Sequence, residues 1–297
     1  MKPHMRRVLL SVAFVLFASF VGLIALILLF ENSFIYFPSK YPEGDWGIEN
    51  DACSEGVIFP KIEDCHFFAA DGIQLHAWYC APYQVSVGKP IELSAEMVLL
   101  WCHGNAGNIT YRHDMIRMLM EVPVNIFIFD YRGYGKSEGT PSEQGIYQDA
   151  RAAWLYLTVD RRISANRIII FGKSLGGAPA IDLAAHVQCA GLIVQSSFTS
   201  ASDMARRVMP FIPPFLIRTK MNSIDKIRSV QCPKLFIHSP ADEVIPYEQG
   251  RRLFEAASEP KQFYKVANAA HNDTYIVGGE AYLDAIRRFV NSCRPTN

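Results

Sequence analysis

Arg167-Ile168-Ile169-Ile170-Phe171-Gly172-Lys173-Ser174-Leu175-Gly176-Gly177 is the stretch on which the fold turns. Its first half is a short β-branched and aromatic run, the pattern of a strand buried on both faces. Its second half is G-x-S-x-G, and the small residues from Gly177 to His186 continue as a helix. A serine in a sharp strand-to-helix turn needs tiny neighbours, so glycines at 172 and 176 leave room for a strained backbone and close strand-helix approach. The hydroxyl then stands clear of the sheet. The amide of Leu175 lies at a helix N-terminus, where an unpaired N–H and the positive dipole end favour a developing oxyanion.

A serine hydroxyl alone is a poor nucleophile, so a base and an orienting carboxylate should follow in the order Ser, Asp, His. Asp242 follows the apolar strand Lys234-Leu235-Phe236-Ile237-His238, and His271 follows the strand-like Gln262-Phe263-Tyr264-Lys265-Val266. Each stands just past the carboxyl end of a strand, the edge where open parallel sheets bind ligands. Asp273 is the nearest substitute for Asp242. An earlier strand, Met97 to Cys102, runs into His103-Gly104-Asn105-Ala106-Gly107-Asn108. The backbone N–H of Asn105 is expected as the second oxyanion donor, with His103 orienting the loop.

Together these segments, with Asp130-Tyr131-Arg132-Gly133-Tyr134-Gly135 and Asp242-Glu243-Val244-Ile245-Pro246 in the same order, resemble the α/β-hydrolase superfamily from about Gly56 to the C-terminus. Within it the set is most similar to the membrane-associated abhydrolase group that includes acyl-protein depalmitoylases. The resemblance implies an α/β-hydrolase fold and a serine hydrolase working through Ser174, Asp242 and His271. The chain departs from the pattern at Ser239 and Ala269, where the family often has glycine. It also lacks the depalmitoylases' N-terminal cysteine cluster, its first cysteine being Cys53.

Val8 to Phe30 carries no charge over 23 residues, and as a helix it would span roughly 34 Å against a hydrocarbon core of about 30 Å. No small-x-small cleavage site ends it, so an uncleaved single-pass anchor is expected, the alternative being a signal peptide, and either way the enzyme domain is exported. Lys2, Arg6 and Arg7 precede it while only Lys40 soon follows, which places the N-terminus in the cytoplasm and the hydrolase domain on the extracytoplasmic side. The sequons Asn108-Ile109-Thr110 and Asn272-Asp273-Thr274 flank the expected site, where a glycan would obstruct it; this favours a periplasmic location.

The expected organisation is an anchor over 1–30, a membrane-proximal linker over 31–55 that packs partly on the domain, and a single hydrolase domain over 56–297. A turn at Asp71-Gly72 joins two lead-in strands, after which strands and helices alternate into a mostly parallel sheet flanked by helices. Thr140-Pro141-Ser142-Glu143 predicts a helix start, with Thr140 as cap and Pro141 at the first position. A cap insert is expected over about 198–228. Its apolar, proline-broken run Val208 to Ile217 either packs on the sheet or lines the pocket mouth through Phe211 and Phe215.

Lys plus Arg equals Asp plus Glu at 29 each, and no basic tract carries interleaved aromatics, so nucleic acid is not an expected partner. Gly135-Lys136-Ser137 and Gly172-Lys173-Ser174 lack the upstream glycine of a phosphate-binding loop, with Asp130 and Arg167 in its place. The remaining histidines lack ligand-like spacing, so neither metal nor cofactor is expected. Cys102 and His238 read as core residues. Seven cysteines are too irregular for a disulfide framework, although Cys189 and Cys232 precede adjacent strands and Cys53, Cys65 and Cys80 cluster. The expected substrates are carboxylic esters or thioesters of small or lipid-like acyl groups, acylated protein included. The alternatives are a serine peptidase and a catalytically silent binding protein.

Overall fold

The computed structural model describes residues 3–47, 58–86, 89–93 and 95–295. The expected 55/56 boundary and Cys53 lie outside the described residues. Two helices come first, α1 (Pro3–Leu29) and α2 (Glu31–Ile35), then the antiparallel strands β1 (Ile58–Phe68), β2 (Gln74–Ser86) and β3 (Lys89–Glu92). Next are β4 (Met97–Cys102), α3 (His113–Leu119), β5 (Val124–Phe129), α4 (Glu143–Leu155), β6 (Ile168–Lys173), α5 (Gly177–His186) and β7 (Gly191–Gln195). After an excursion carrying α6 (Ala201–Val208) and α7 (Ser223–Lys226), the chain closes with β8 (Lys234–His238), α8 (Tyr247–Ala256), β9 (Lys261–Lys265) and α9 (Thr274–Ser292). The sheet order is β1-β2-β5-β4-β6-β7-β8-β9 with β3 on β2, and every pairing from β5 to β9 is parallel.

Strand periodicity explains why the central strands read as unbroken apolar runs. Val98, Leu100, Ile168 and Ile170 face one core with α4 and α5, while Leu99, Trp101, Ile169 and Phe171 face the other with α3 and α9. Each successive side chain thus meets a helical layer on one side or the other. The start of α4 differs from expectation. Ser142, extended at φ −154°, is the cap and accepts from the amide of Gly145 at 3.1 Å. Pro141 therefore precedes the helix. Glu143, at its first position, turns its carboxylate away to accept from the amides of Lys220 and Met221, both at 2.7 Å, so it fastens the end of the cap rather than its own helix start.

The segment after α1 lies against the domain. Tyr36 is buried, Pro38 and Lys40 bridge to Gly107 and Gly135, and Trp46 packs edge-on against Trp78 at 5.8 Å. α1 is the only helix among the described residues long and apolar enough to cross a membrane.

Candidate active site

The nucleophile candidate sits where β6 ends. Ser174 has φ +54°, a left-handed conformation rarely adopted by a non-glycine residue. The close approach the motif implies is quantitative: a Cβ on Gly176 would lie 2.0 Å from the carbonyl oxygen of Cys102, and one on Gly172 would lie 2.6 Å from that of Gly176. No larger residue fits either position without moving the backbone of β4 or of the turn itself. β8 and β9 end on the same edge and deliver the other two residues. His271 Nε2 is 2.9 Å from Ser174 Oγ, and its Nδ1 is 2.8 Å from Asp242 Oδ2. Three side chains from three loops thus form one hydrogen-bonded chain. The carboxylate on the histidine is that of Asp242, not Asp273.

Burial alone would raise the Asp242 carboxyl, but hydrogen bonds from His238 and His271 overcome it and hold the group well below the usual carboxylate range. The amides of Val244 and Ile245 also donate to its Oδ1, at 3.0 and 2.8 Å. An acceptor this fully engaged stays ionised and rigid. His238, read from sequence as a core residue, lies with Nε2 3.0 Å from the carbonyl of Ile245 and 3.3 Å from Asp242 Oδ2. Its contact with the carboxylate had one sequence signal, its place four residues before Asp242 at a strand end.

Asn105 and Leu175 both line the cavity that contains Ser174, and a Cβ on Gly104 would lie 3.6 Å from that of Ser174. The loop carrying Asn105 is held from several sides. His103 Nδ1 pairs with the Gly104 carbonyl at 2.7 Å, and burial followed by the nearby Arg112 charge pushes its pKa down to about 3, so the ring is neutral. Arg112 donates to the carbonyls of Gly104 and Ala106. The Asn105 side chain donates to the Ile35 carbonyl and accepts from the Phe37 amide at 3.1 Å and the Tyr134 hydroxyl at 2.9 Å. Asn108 is buried and donates to the carbonyls of Ser39 and Glu43, so its amide cannot carry a glycan in the folded chain.

The cavity measures about 680 Å³, within the range of roughly 300–1,000 Å³ usual for ligand sites. Sequence reasoning misplaced its walls. Phe211 and Phe215 are 52% and 80% exposed and are not among the residues that line it. The cap lines it instead through Met204, Met209, Ile212 and Ile217. In a segment broken by Pro210, Pro213 and Pro214 no periodicity tells inner from outer side chains, which is why the largest residues drew the assignment. Lys173 also lines the cavity; burial, then the Arg112 charge, brings its pKa down to about 8. Cys189 and Cys232 bring their sulfurs to 3.3 Å without a bond between them. Among the described residues no cluster of side chains suits a metal ion.

Residues 94–226 match the family described as serine aminopeptidase, S33. An uncharacterized protein of Mycobacterium tuberculosis is 35% identical over 91% of this chain and 90% of its own length. The Arabidopsis thaliana alpha/beta hydrolase domain-containing protein WAV2 is 31% identical over 94% and 95%. This chain belongs to the α/β-hydrolase family. Human alpha/beta hydrolase domain-containing protein 17B is 36% identical over 67% of each chain. An esterase of Pyrococcus furiosus superposes with a TM-score of 0.67 at 18% identity, covering 86% of this chain and 98% of its own, a likeness of fold. The protein is a member of this family with an N-terminal helix long and apolar enough to span a bilayer.

Proposed function

We propose that the protein is a serine hydrolase that cleaves carboxylic esters or thioesters through an acyl-enzyme on Ser174. The observation that carries this reading is the chain Ser174 Oγ, His271, Asp242, with links of 2.9 and 2.8 Å, at the wall of a largely apolar cavity. His271 Nε2 accepts the Ser174 proton as Oγ attacks the acyl carbonyl, and the Asn105 and Leu175 amides stabilise the tetrahedral oxyanion. The imidazolium then protonates the leaving alcohol or thiol. Water, deprotonated by the same histidine, releases the acid and restores Ser174. Asp242 holds Nδ1–H and stabilises the charged ring throughout.

The family description favours a second reading, a peptidase removing N-terminal residues. Such an enzyme needs a free carboxylate for the substrate's ammonium group. Among the described residues the cavity's one lining carboxylate, Glu31, already accepts from the amides of Arg218 and Thr219, at 3.1 and 2.7 Å. Esters and thioesters are therefore the preferred class. The anchor is read as uncleaved, with the N-terminus cytoplasmic and the hydrolase domain extracytoplasmic; external protease should digest the domain in spheroplasts, and protection until lysis would reverse the orientation. A fluorophosphonate should label the wild-type chain and not Ser174→Ala, whereas equal labelling of both sinks the serine assignment. Turnover of p-nitrophenyl esters but not of aminoacyl anilides should accompany it.

A further inference from the structure

We infer that the membrane helix is a wall of the acyl site, so that the enzyme takes its substrate, a long-chain acyl ester, directly from the bilayer in which it is anchored. This rests on the serine-hydrolase reading and adds to it the class of substrate and its route. The cavity beside Ser174 is lined by Ile27, Leu28 and Phe34 and, next to them, by Met209, Ile212 and Ile217. The first three lie at the end of α1 and in α2; the last three are the cap. Ile27 packs directly onto the cluster of Ala205, Ile212 and Ile217. Without α1 that side of the cavity would be open.

Two carboxylates and one amide hold this composite wall in place. Glu31, two residues past α1, accepts from the Arg218 and Thr219 amides, and Glu143 of α4 takes the next two, Lys220 and Met221. Across the site, the Asn105 side chain is bonded to backbone groups of Ile35 and Phe37. The segment that leaves the membrane is thereby tied to both the cap and the loop that carries the expected oxyanion donor. A tether would need neither tie.

Length places the cavity relative to the lipid. The uncharged run Val8 to Phe30 spans roughly 34 Å as a helix, against a hydrocarbon core of about 30 Å. Its last turn, and with it the cavity, therefore stands at the boundary between hydrocarbon and headgroups. Around it Phe30, Val208, Phe211 and Phe215 are exposed. An apolar collar of this kind costs free energy in water and none when it dips into the interface. Phe211 and Phe215 thus act on the outside of the cap, at the lipid, while an acyl chain enters beneath them. Each methylene taken up should tighten binding by up to about fourfold.

The test reads occupancy without turnover. Full-length Ser174→Ala protein is placed in phosphatidylethanolamine and phosphatidylglycerol vesicles containing a trace phospholipid with a photoactivatable diazirine in its acyl chain. Cross-links are expected on residues 27–37 and on 204–217 together, reduced at least fivefold by adding Ile212→Trp. Labelling confined to the lipid-facing residues of 3–26, indifferent to Ile212→Trp, would overturn the proposal. Competition by unlabelled phospholipid or by an S-palmitoyl peptide supports a bilayer-borne chain and identifies its carrier; competition by neither counts against it. With otherwise wild-type protein, Ile27→Trp should lower the ratio of palmitate to butyrate ester hydrolysis at least tenfold. Should that variant fold poorly, Ile27→Ala must still change the ratio, and an unchanged ratio refutes the wall. Failure of the underlying serine chemistry shows separately, as loss of fluorophosphonate labelling in the wild type.

Discussion

The carboxyl edge of the sheet and the cap with the N-terminal helix build different walls of one cavity by different means. At the sheet edge, Ser174, Asp242 and His271 are each placed by a strand end, and a Cβ at Gly172 or Gly176 has nowhere to go. The backbone there is determined by its own β-ladder and by hard contacts. The cap has little regular structure between α6 and α7, and its inner residues are held by α1, by Glu31 and by Glu143. The first region holds the groups proposed to react, and such chemistry tolerates little displacement. The second carries shape, and its geometry is borrowed from elements distant in sequence.

The largest expected effects lie at the sheet edge. Ser174→Ala and Asp242→Asn should each lower turnover by about 10⁴-fold with the protein still folded; kcat measured on a p-nitrophenyl ester, with circular dichroism as the control, decides this. A loss below tenfold in either would mean that the edge does not form the reacting unit. The contrast in stability comes next. Ile170→Ala, in β6 and fully buried, should cost about 3–5 kcal/mol, whereas Ile212→Ala in the cap should cost about 2 kcal/mol, because the cap has room to collapse. Urea unfolding of the detergent-solubilised full chain measures both, and equal losses would erase the distinction.

Lys173 joins the two regions, and its effect should be pH-dependent. Its folded pKa of about 8 lies below the 10.5 of a free lysine, so between these values the unfolded chain binds the proton more tightly. Stability should therefore rise with pH across that window, by roughly 3 kcal/mol relative to Lys173→Met, and be flat above it. Urea midpoints from pH 7 to 11 test the sign; a fall would show that the buried amine is stabilised as a cation. The smallest effect is expected outside the cap. Phe215, 80% exposed, should tolerate Ser with a stability change within about 0.5 kcal/mol in detergent. A larger loss would place its ring in packing that the structure does not contain.

Legibility in the sequence followed the same division. The strand at 168–173 and the glycines at 172 and 176 announce themselves because a two-sided sheet demands apolar runs and a tight elbow demands missing side chains. Asp242 and His271 were found because a parallel sheet brings successive strand ends to one edge. The cap of α4 was misread by two residues: Thr140 and Ser142 have the same chemistry, and only the extended backbone of Ser142 selects it. Phe211 and Phe215 were misplaced because size was the only guide in a proline-broken segment.

From local pattern alone came the sheet's buried strands, the serine elbow, the order of the three site residues, and a helix long enough for a bilayer, since each depends on residue type and spacing within a few turns of chain. The tertiary structure decided which side chains enclose the cavity, that His238 supports Asp242, and that Glu31, Ile27 and Asn105 bind the membrane helix, the cap and the loop after β4 together. His238 and Asp242 are four positions apart, but the other contacts join residues about 70 to 190 positions apart and leave no periodic trace. They exist only once the sheet has brought their backbones within hydrogen-bonding and packing distance.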